Sequence, residues 1–420
     1  MKKLYTIALA AAVALSASAA VKLPAKQDRL FKVNLENTIK RNVNLVNATK
    51  PEIHRAASAT DAPADLEGMQ FIMTYSVPEA DENNEVVYYP QANIVTFTDG
   101  VEDEDGYISY LMEGFAEGIF NSSVTLLPLE VYYNPSIGQL EIYGGDFLEF
   151  QGTTYQSSIF YNVDEDGYGS LNPNLPLMFA WEDGKFEWIS TYGTSSGTVE
   201  CDSYAVYTGN SLVMQFYDFA MGSYSGDLNY TITVKGAART GVSPISATVA
   251  DNTVTFSNWF DLGFDGAATF TIDAENKTLT GKLSPTFEYE GYNCVVAAAE
   301  NKADLTDCDY AGAIVANYTV ENGKTTVTLP DWNVFVDASS FGYPSGTYLA
   351  FFYPFSNSTL VLNFDLGDDA QNGISDVVVD NNENAPVEYF NLQGVRINEP
   401  AAGQVVIRRQ GNKTTKLFVK

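Results

Sequence analysis

The segment Asn252-Thr253-Val254-Thr255-Phe256-Ser257-Asn258-Trp259 has an echo upstream at Asn93-Ile94-Val95-Thr96-Phe97-Thr98-Asp99. The echo extends both ways. Met69-Gln70-Phe71 precedes Leu228-Asn229-Tyr230 by 159 residues, the offset that links Val95 to Val254. Phe150-Gln151-Gly152 faces Tyr289-Glu290-Gly291 and Glu182-Asp183-Gly184-Lys185 faces Glu321-Asn322-Gly323-Lys324, both at 139. Leu212, Val213 and Phe216 face Leu360, Val361 and Phe364 at 148. Ordered self-similarity of this kind marks one structural unit used twice. The drop from 159 to 139 places a 20-residue insertion in the first copy.

The unit reads as β. Phe71 to Val77, Glu85 to Tyr89, Asn93 to Phe97, Ala268 to Ile272 and Lys324 to Leu329 are rich in Val, Ile, Tyr, Phe and Thr, residues that suit a pleated, half-buried surface. Asn134-Pro135, Asp166-Gly167, Asp183-Gly184, Gly209-Asn210, Asp251-Asn252 and Asn322-Gly323 punctuate the runs. Gly supplies positive φ at such turns, and Asn and Asp tolerate it. Short strands with frequent turns predict an all-β chain: two tandem related sandwich or barrel modules plus a small C-terminal β unit. The domain plan is a signal peptide over 1–20, a linker over 21–65, modules over 66–225 and 226–373, a linker over 374–386 and the β unit over 387–420.

The signal peptide rests on Lys2 and Lys3, the mostly apolar run Leu4 to Leu15, and Ala17-Ser18-Ala19 as a cleavage site. No Cys stands near that site to carry a lipid, and no later segment is apolar enough to span a bilayer. Within the linker, Leu30 to Leu45 has room for a short helix. Charge is uneven. Residues 61–386 hold 48 acidic and seven basic residues, a net of −41 (7 − 48). Such a surface repels phosphate backbones, which argues against a nucleic-acid partner.

Catalytic residue types are scarce. The one histidine, His54, falls in the linker. Cys201, Cys294 and Cys308 form no C-x-x-C pair, so zinc has no natural ligand set. Cys294 and Cys308 are close enough in sequence to bridge neighbouring strands, or all three stay free. Gly193-Thr194-Ser195-Ser196-Gly197 matches a nucleophile-elbow pattern but sits among strands and turns with no histidine after it. The candidate metal site is calcium in the acidic loops. Asn162, Asp164 and Asp166 before Gly167, and Asp103 and Asp105 before Gly106, put oxygen ligands at alternate positions. The acid that would close the first loop is replaced by Pro173, and Val101 takes the first ligand position of the second. The alternative is hairpin turns capped by their Asp side chains. Apart from calcium, no cofactor is expected.

The chain closes with Glu388-Tyr389-Phe390-Asn391-Leu392-Gln393-Gly394-Val395-Arg396, then Pro400-Ala401-Ala402-Gly403, the alternating Val405 and Ile407, and Lys413 to Lys420. This is a three-strand pattern with a basic edge. It resembles the short C-terminal segments of exported Bacteroidetes surface proteins, related to type IX secretion sorting domains. The resemblance covers about 34 residues and lacks the longer upstream portion of the full domain. It implies the secretion machinery as a partner and an outer-membrane surface or extracellular location, and it says nothing of a substrate.

These features predict a secreted or cell-surface binding protein for a glycan or protein ligand, and not an enzyme. The alternatives are a carboxylate-dependent polysaccharide hydrolase and a structural envelope component. Flat aromatic faces that could stack on sugar rings would come from Trp181, Trp188, Trp259 and Trp332 if these were exposed.

Overall fold

The computed structural model describes residues 42–45, 53–54, 61–80, 86–120, 123–209, 211–234, 237–263, 268–284, 286–289, 292–303, 307–367, 387–390, 396–397, 400, 405–410 and 413–418. The signal peptide and the linker 374–386 lie outside these residues.

The first module is a closed barrel of eight antiparallel strands: β1 (Gln70–Ala80), β2 (Val86–Glu102), β3 (Ile108–Glu113), β4 (Leu129–Asn134), β5 (Gln139–Ile142), β6 (Leu177–Glu182), β7 (Lys185–Ile189) and β8 (Ser211–Ser223). Each strand pairs with the next, and β8 pairs back to β1. The second module repeats this plan: β9 (Gly226–Val234), β10 (Ala237–Ala250), β11 (Thr253–Ser257), β12 (Ala268–Asp273), β13 (Thr278–Gly281), β14 (Val315–Glu321), β15 (Lys324–Thr328) and β16 (Phe355–Leu362). Again β16 closes on β9. Both modules are therefore up-and-down barrels, and closure removes the open edges a sandwich would keep.

The inserted strands also match. Each barrel carries an excursion between its fifth and sixth strands and another between its seventh and eighth. Thr153–Tyr161 pairs with Gly197–Thr208 in the first module. Tyr292–Asn301 pairs with Trp332–Asp337 in the second. From the fourth strand on, the repeat has one spacing. Asn134 and Asp273 end the fourth strands, Phe150 and Tyr289 end inserted strands, and Gly184 and Gly323 turn the 6–7 hairpins, every pair 139 apart. Phe216 and Phe355 continue it at 139, and each packs on a first-strand tyrosine, Tyr75 and Tyr230, with ring centroids 5.3 and 5.6 Å apart.

Two of the sequence echoes are corrected. Val95 lies on the second strand of its barrel and Val254 on the third. Leu212 pairs with the inserted Tyr207, whereas Leu360 pairs with Val327 inside the barrel. Val-x-Phe is an alternating strand pattern that fits any inward-facing register, so it aligned strands that are not equivalent.

The interiors are filled. Eight strands leave a bore just wide enough for side chains. Phe71, Tyr75, Phe97, Tyr110, Phe186 and Phe216 occupy the first barrel, and Phe256, Trp259, Phe270, Trp332 and Phe355 the second, all buried. Many outward positions are polar. On β11, Val254 and Phe256 point in, and Thr253, Thr255 and Ser257 point out. On β15, Lys324, Thr326 and Thr328 point out. A membrane-spanning barrel has the reverse alternation. Among the described residues no helix is long and apolar enough to cross a membrane.

Each barrel is plugged by a leucine from chain that is free to fold over it. In the first, Leu66 precedes β1; in the second, Leu366 follows β16, and both are fully buried. Around Leu66, Tyr133 Oη donates to the Pro63 carbonyl at 2.5 Å and Tyr110 Oη to Asp65 Oδ1 at 2.6 Å. At the other plug Thr325 Oγ1 donates to the Phe364 carbonyl and accepts from Leu366 N–H, each at 2.9 Å.

The linker expectation for 21–65 is corrected in part. Asn42–Leu45 runs parallel to Tyr168–Leu171, and Ile53–His54 pairs with Gly193–Thr194. Residues 63–66 belong to the plug. The strand at 42–45 replaces the end of the expected helix, because an inserted strand offers it a free edge. Residues 371–420 form a second compact unit with a four-stranded sheet, Val387–Phe390, Arg396–Ile397, Val405–Gln410 and Lys413–Phe418, one strand more than its sequence pattern predicts.

Only Tyr224 and Ser225 separate β8 from β9. Tyr224 N–H donates to the Gln70 carbonyl at 3.1 Å, and Ser225 N–H to the Ile245 carbonyl at 2.9 Å, so the two residues bond into both barrels. The turn at Asn258–Asp261 lies against β2 of the first barrel. Asn258, Phe260 and Asp261 all hold positive φ, 57°, 54° and 56°, a strained choice for residues with a side chain. Asn258 is fully buried, and its Nδ2 donates to the Pro244 carbonyl at 2.7 Å. Its Oδ1 accepts Gly263 N–H at 3.3 Å. Ser243 Oγ and Asp261 brace the turn at 3.0 Å. Asn258→Ala should lose about 2–4 kcal/mol in urea unfolding, since it removes both bonds in a buried place and puts Ala in a left-handed conformation.

Candidate functional site

The residues singled out for calcium sit in two hairpins of the same sequence and shape. Asp103 to Tyr107 and Asp164 to Tyr168 both read Asp-Glu-Asp-Gly-Tyr. Asp103 Oδ1 accepts N–H of Asp105 and Tyr107, each at 2.9 Å. Asp164 Oδ1 accepts N–H of Asp166 and Tyr168 at 3.0 and 2.8 Å. Gly106 and Gly167 take φ of 80° and 82°. Asn162 Oδ1 accepts Glu200 N–H at 2.9 Å. These contacts are those of capped turns, and among the described residues no three His, Cys, Asp or Glu side chains are grouped to hold a metal. Asp164→Ala should lower the melting point by the same amount in calcium and in sodium of equal ionic strength, from loss of a cap of about 1 kcal/mol. A calcium-specific rise in the unsubstituted protein that Asp164→Ala abolishes would assign the loop to an ion.

The other sequence candidates are structural. Trp259 and Trp332 are fully buried. Trp181 and Trp188 are half-buried against Phe186 and Phe219, with centroids 4.9 and 5.4 Å apart. Gly193 to Gly197 is the hairpin between Thr191–Thr194 and Gly197–Thr208, with Thr194 Oγ1 donating to the Gly197 carbonyl at 2.9 Å. All three cysteines are buried and stand outside any disulfide among the described residues. Cys308 pairs with Asn301, seven residues along the strand from Cys294. That separation is about 23 Å, far beyond disulfide reach. Burial raises the Cys308 thiol to about 11 and the Cys201 thiol higher still, so neither is a thiolate nucleophile at neutral pH.

A different surface combines aromatic rings with carboxylates. Cross-strand partners share a face of a sheet. Val101, Ser109, Tyr132, Glu141 and Met178 form one outward row across β2 to β6. Thr98, Leu111 and Glu130 form the next row, and Tyr143 stands just past the end of β5. Tyr132 Oη donates to Glu130 Oε1 at 2.7 Å, and Tyr143 Oη donates to Glu141 Oε2 at 2.8 Å. The two rings meet edge to face, centroids 5.5 Å apart. The result is a checkerboard of two tyrosines and two glutamates on adjacent strands.

Exposure is graded across it. Val101 and Leu111 are 63% and 38% exposed, Glu130 is exposed, both tyrosines are half-buried and Glu141 is 1% exposed. The inserted segments cover the far end, where Tyr192 Oη donates to the Pro176 carbonyl at 2.8 Å. Burial, followed by the bond to Glu130, pushes the Tyr132 hydroxyl up to about 12. It therefore remains a protonated donor that orients Glu130. Such a face offers flat apolar ring surface beside charged acceptors, the pairing that binds a sugar's C–H face and hydroxyls. Neither the two tyrosines nor the two glutamates entered the sequence expectations. The signal was there as Glu130-Val131-Tyr132 and Glu141-Ile142-Tyr143, two Glu-x-Tyr triplets flanking the Asn134-Pro135 turn.

At the same place the second barrel has Thr271 and Thr280 as cross-strand partners on its fourth and fifth strands. The surface near them is a shallow depression lined by Thr269, Phe270, Lys282, Phe287 and Val296. No protein-family model, curated protein or solved structure matches this chain.

Proposed function

We propose that this chain is an exported, non-catalytic binding protein that presents the outer face of its first barrel to a glycan. The observation that carries the reading is the Tyr132, Tyr143, Glu130 and Glu141 checkerboard beside exposed Val101 and Leu111. The filled barrel interiors support it, because they leave the outside as the place for a ligand. The buried thiols and the position of His54 support the absence of catalysis. The secretory N-terminus and the sorting-like tail are the expected route to the cell surface.

Tyr132→Ala in the full chain should weaken glycan binding by about tenfold, the ~1.4 kcal/mol of one good aromatic contact, without lowering the melting point of the body by more than a few degrees. A glycan array followed by calorimetry on each hit checks this. The hydrolase reading draws on the same two glutamates, but they lie side by side on one sheet face, each accepting from a tyrosine of its own segment. Release of reducing sugar that Glu130→Gln or Glu141→Gln abolishes would replace the binding reading with the enzymatic one.

A further inference from the structure

The checkerboard asks for hydrogen-bond donors. Glu130 and Glu141 are acceptors, and the two tyrosine hydroxyls are already donating to them. Gln139 lies on the same outer face of β5, two residues before Glu141, and is 3% exposed. Its Nε2 leans to Met178 Sδ at 3.9 Å, and Met178 is the cross-strand partner of Glu141. Among the described residues, this leaves Gln139 Oε1 buried without a hydrogen-bond partner, two residues along the strand from Glu141. A buried acceptor without a donor is costly to keep. None of Val101, Ser109, Leu111, Glu130, Tyr132, Glu141 or Tyr143 is basic, and the body around them carries a net charge of −41 (7 − 48).

We infer that the saccharide seated on this face bears a free amine, a hexosamine unit in its ammonium form. The inference rests on the glycan-binding reading. An ammonium brings three N–H donors where a hydroxyl brings one. It gains from the exposed Glu130 carboxylate, with the charge of Glu141 buried behind it, and from the faces of Tyr132 and Tyr143, which attract a cation through the ring quadrupole. The acidic body concentrates such a ligand near the surface. Uronates and sulfated sugars meet two like charges at the same place and are rejected. N-acetylation of the hexosamine removes the charge and two of the donors, so the acetylated sugar keeps the stacking contact and its hydroxyl bonds.

Calorimetry on the full chain tests this with four probes: a chitosan oligosaccharide, its fully N-acetylated counterpart, an oligogalacturonate and an oligolysine. The free-amine sugar should bind about tenfold more tightly than the acetylated one at low salt, an advantage that shrinks as salt screens it. Glu130→Gln, a change at an exposed position, should erase that advantage by weakening the free-amine sugar more than the acetylated one. Tyr132→Ala should weaken both sugars. Equal affinity for the two sugars, lost in Tyr132→Ala, would overturn the amine while leaving the glycan reading standing. Amine binding that ignores both substitutions would reduce the effect to general attraction by an acidic surface and overturn the site. Binding of oligolysine alone, or of no probe, would overturn the glycan reading itself.

Discussion

Gly226→Ala is expected to unseat the second barrel. Gly226 opens β9 and sits in the seam that closes the barrel, paired with Leu362 on one side and Ile245 on the other. Its φ is 156°, and a Cβ there would stand 2.1 Å from the Val361 carbonyl oxygen and 2.9 Å from Leu362 Cα. Both atoms are backbone of β16, so no rotamer change relieves the clash and the strand itself must move. The loss should be about 3 kcal/mol or more, at the severe end for one methyl group. Trp259 and Trp332 lie in the second barrel, and Trp181 and Trp188 in the first. Denaturant unfolding of variants that keep one tryptophan pair reports each barrel separately. The second-barrel pair should melt early and the first-barrel pair should follow the parent. Gly184→Ala is the control, because its φ of 83° is equally unusual but nothing lies within 4 Å of the added Cβ. That change should cost only about 1 kcal/mol. Equal losses at the two positions would show that backbone conformation, and not the close approach of β16, governs the seam.

Leu66→Ala should cost about 2–5 kcal/mol in the first barrel, because it empties a fully buried plug that rigid strands cannot collapse around. The first-barrel tryptophans are again the probe, and an unchanged midpoint would mean that 63–67 merely lies on the barrel end. The neighbouring Asp65 tests the same plug through pH. Its carboxyl is held below its ordinary value of 3.8, first by the Tyr110 hydroxyl and next by Glu67 N–H. A carboxyl with a depressed folded-state pKa adds stability above its unfolded value, and that stability disappears as pH falls through the folded value. Asp65→Asn should therefore be less stable than the parent near neutral pH, and the two should converge as pH falls through the lowered folded-state value. The side chain is exposed, so the effect is smaller than that of Leu66→Ala. A difference that persists in acid would point to the shape of the turn instead of its charge.

The amino-acid sequence by itself determined the local facts. Alternation of apolar and polar residues marked the strands, and Asp-Gly and Asn-Gly marked the hairpins at 183–184 and 322–323, because both signals depend on neighbours in the chain. The Asp-capped turns at 103 and 164 were legible only as one of two readings, since an acidic loop looks alike whether its oxygens face a cation or their own backbone. Tertiary structure decided what pairing decides. Barrel closure depends on β8 meeting β1 across some 140 residues, and no local pattern encodes that contact. Equivalence of strands follows strand order, and for that reason Val95 and Val254 looked alike yet occupy different places. The candidate site is the clearest instance. Glu130 and Tyr132 on β4, and Glu141 and Tyr143 at the end of β5, become one surface only when the register sets Tyr132 opposite Glu141. A shift of one residue would turn all four side chains into the core, and only packing the apolar alternates Val131 and Ile142 inward excludes it.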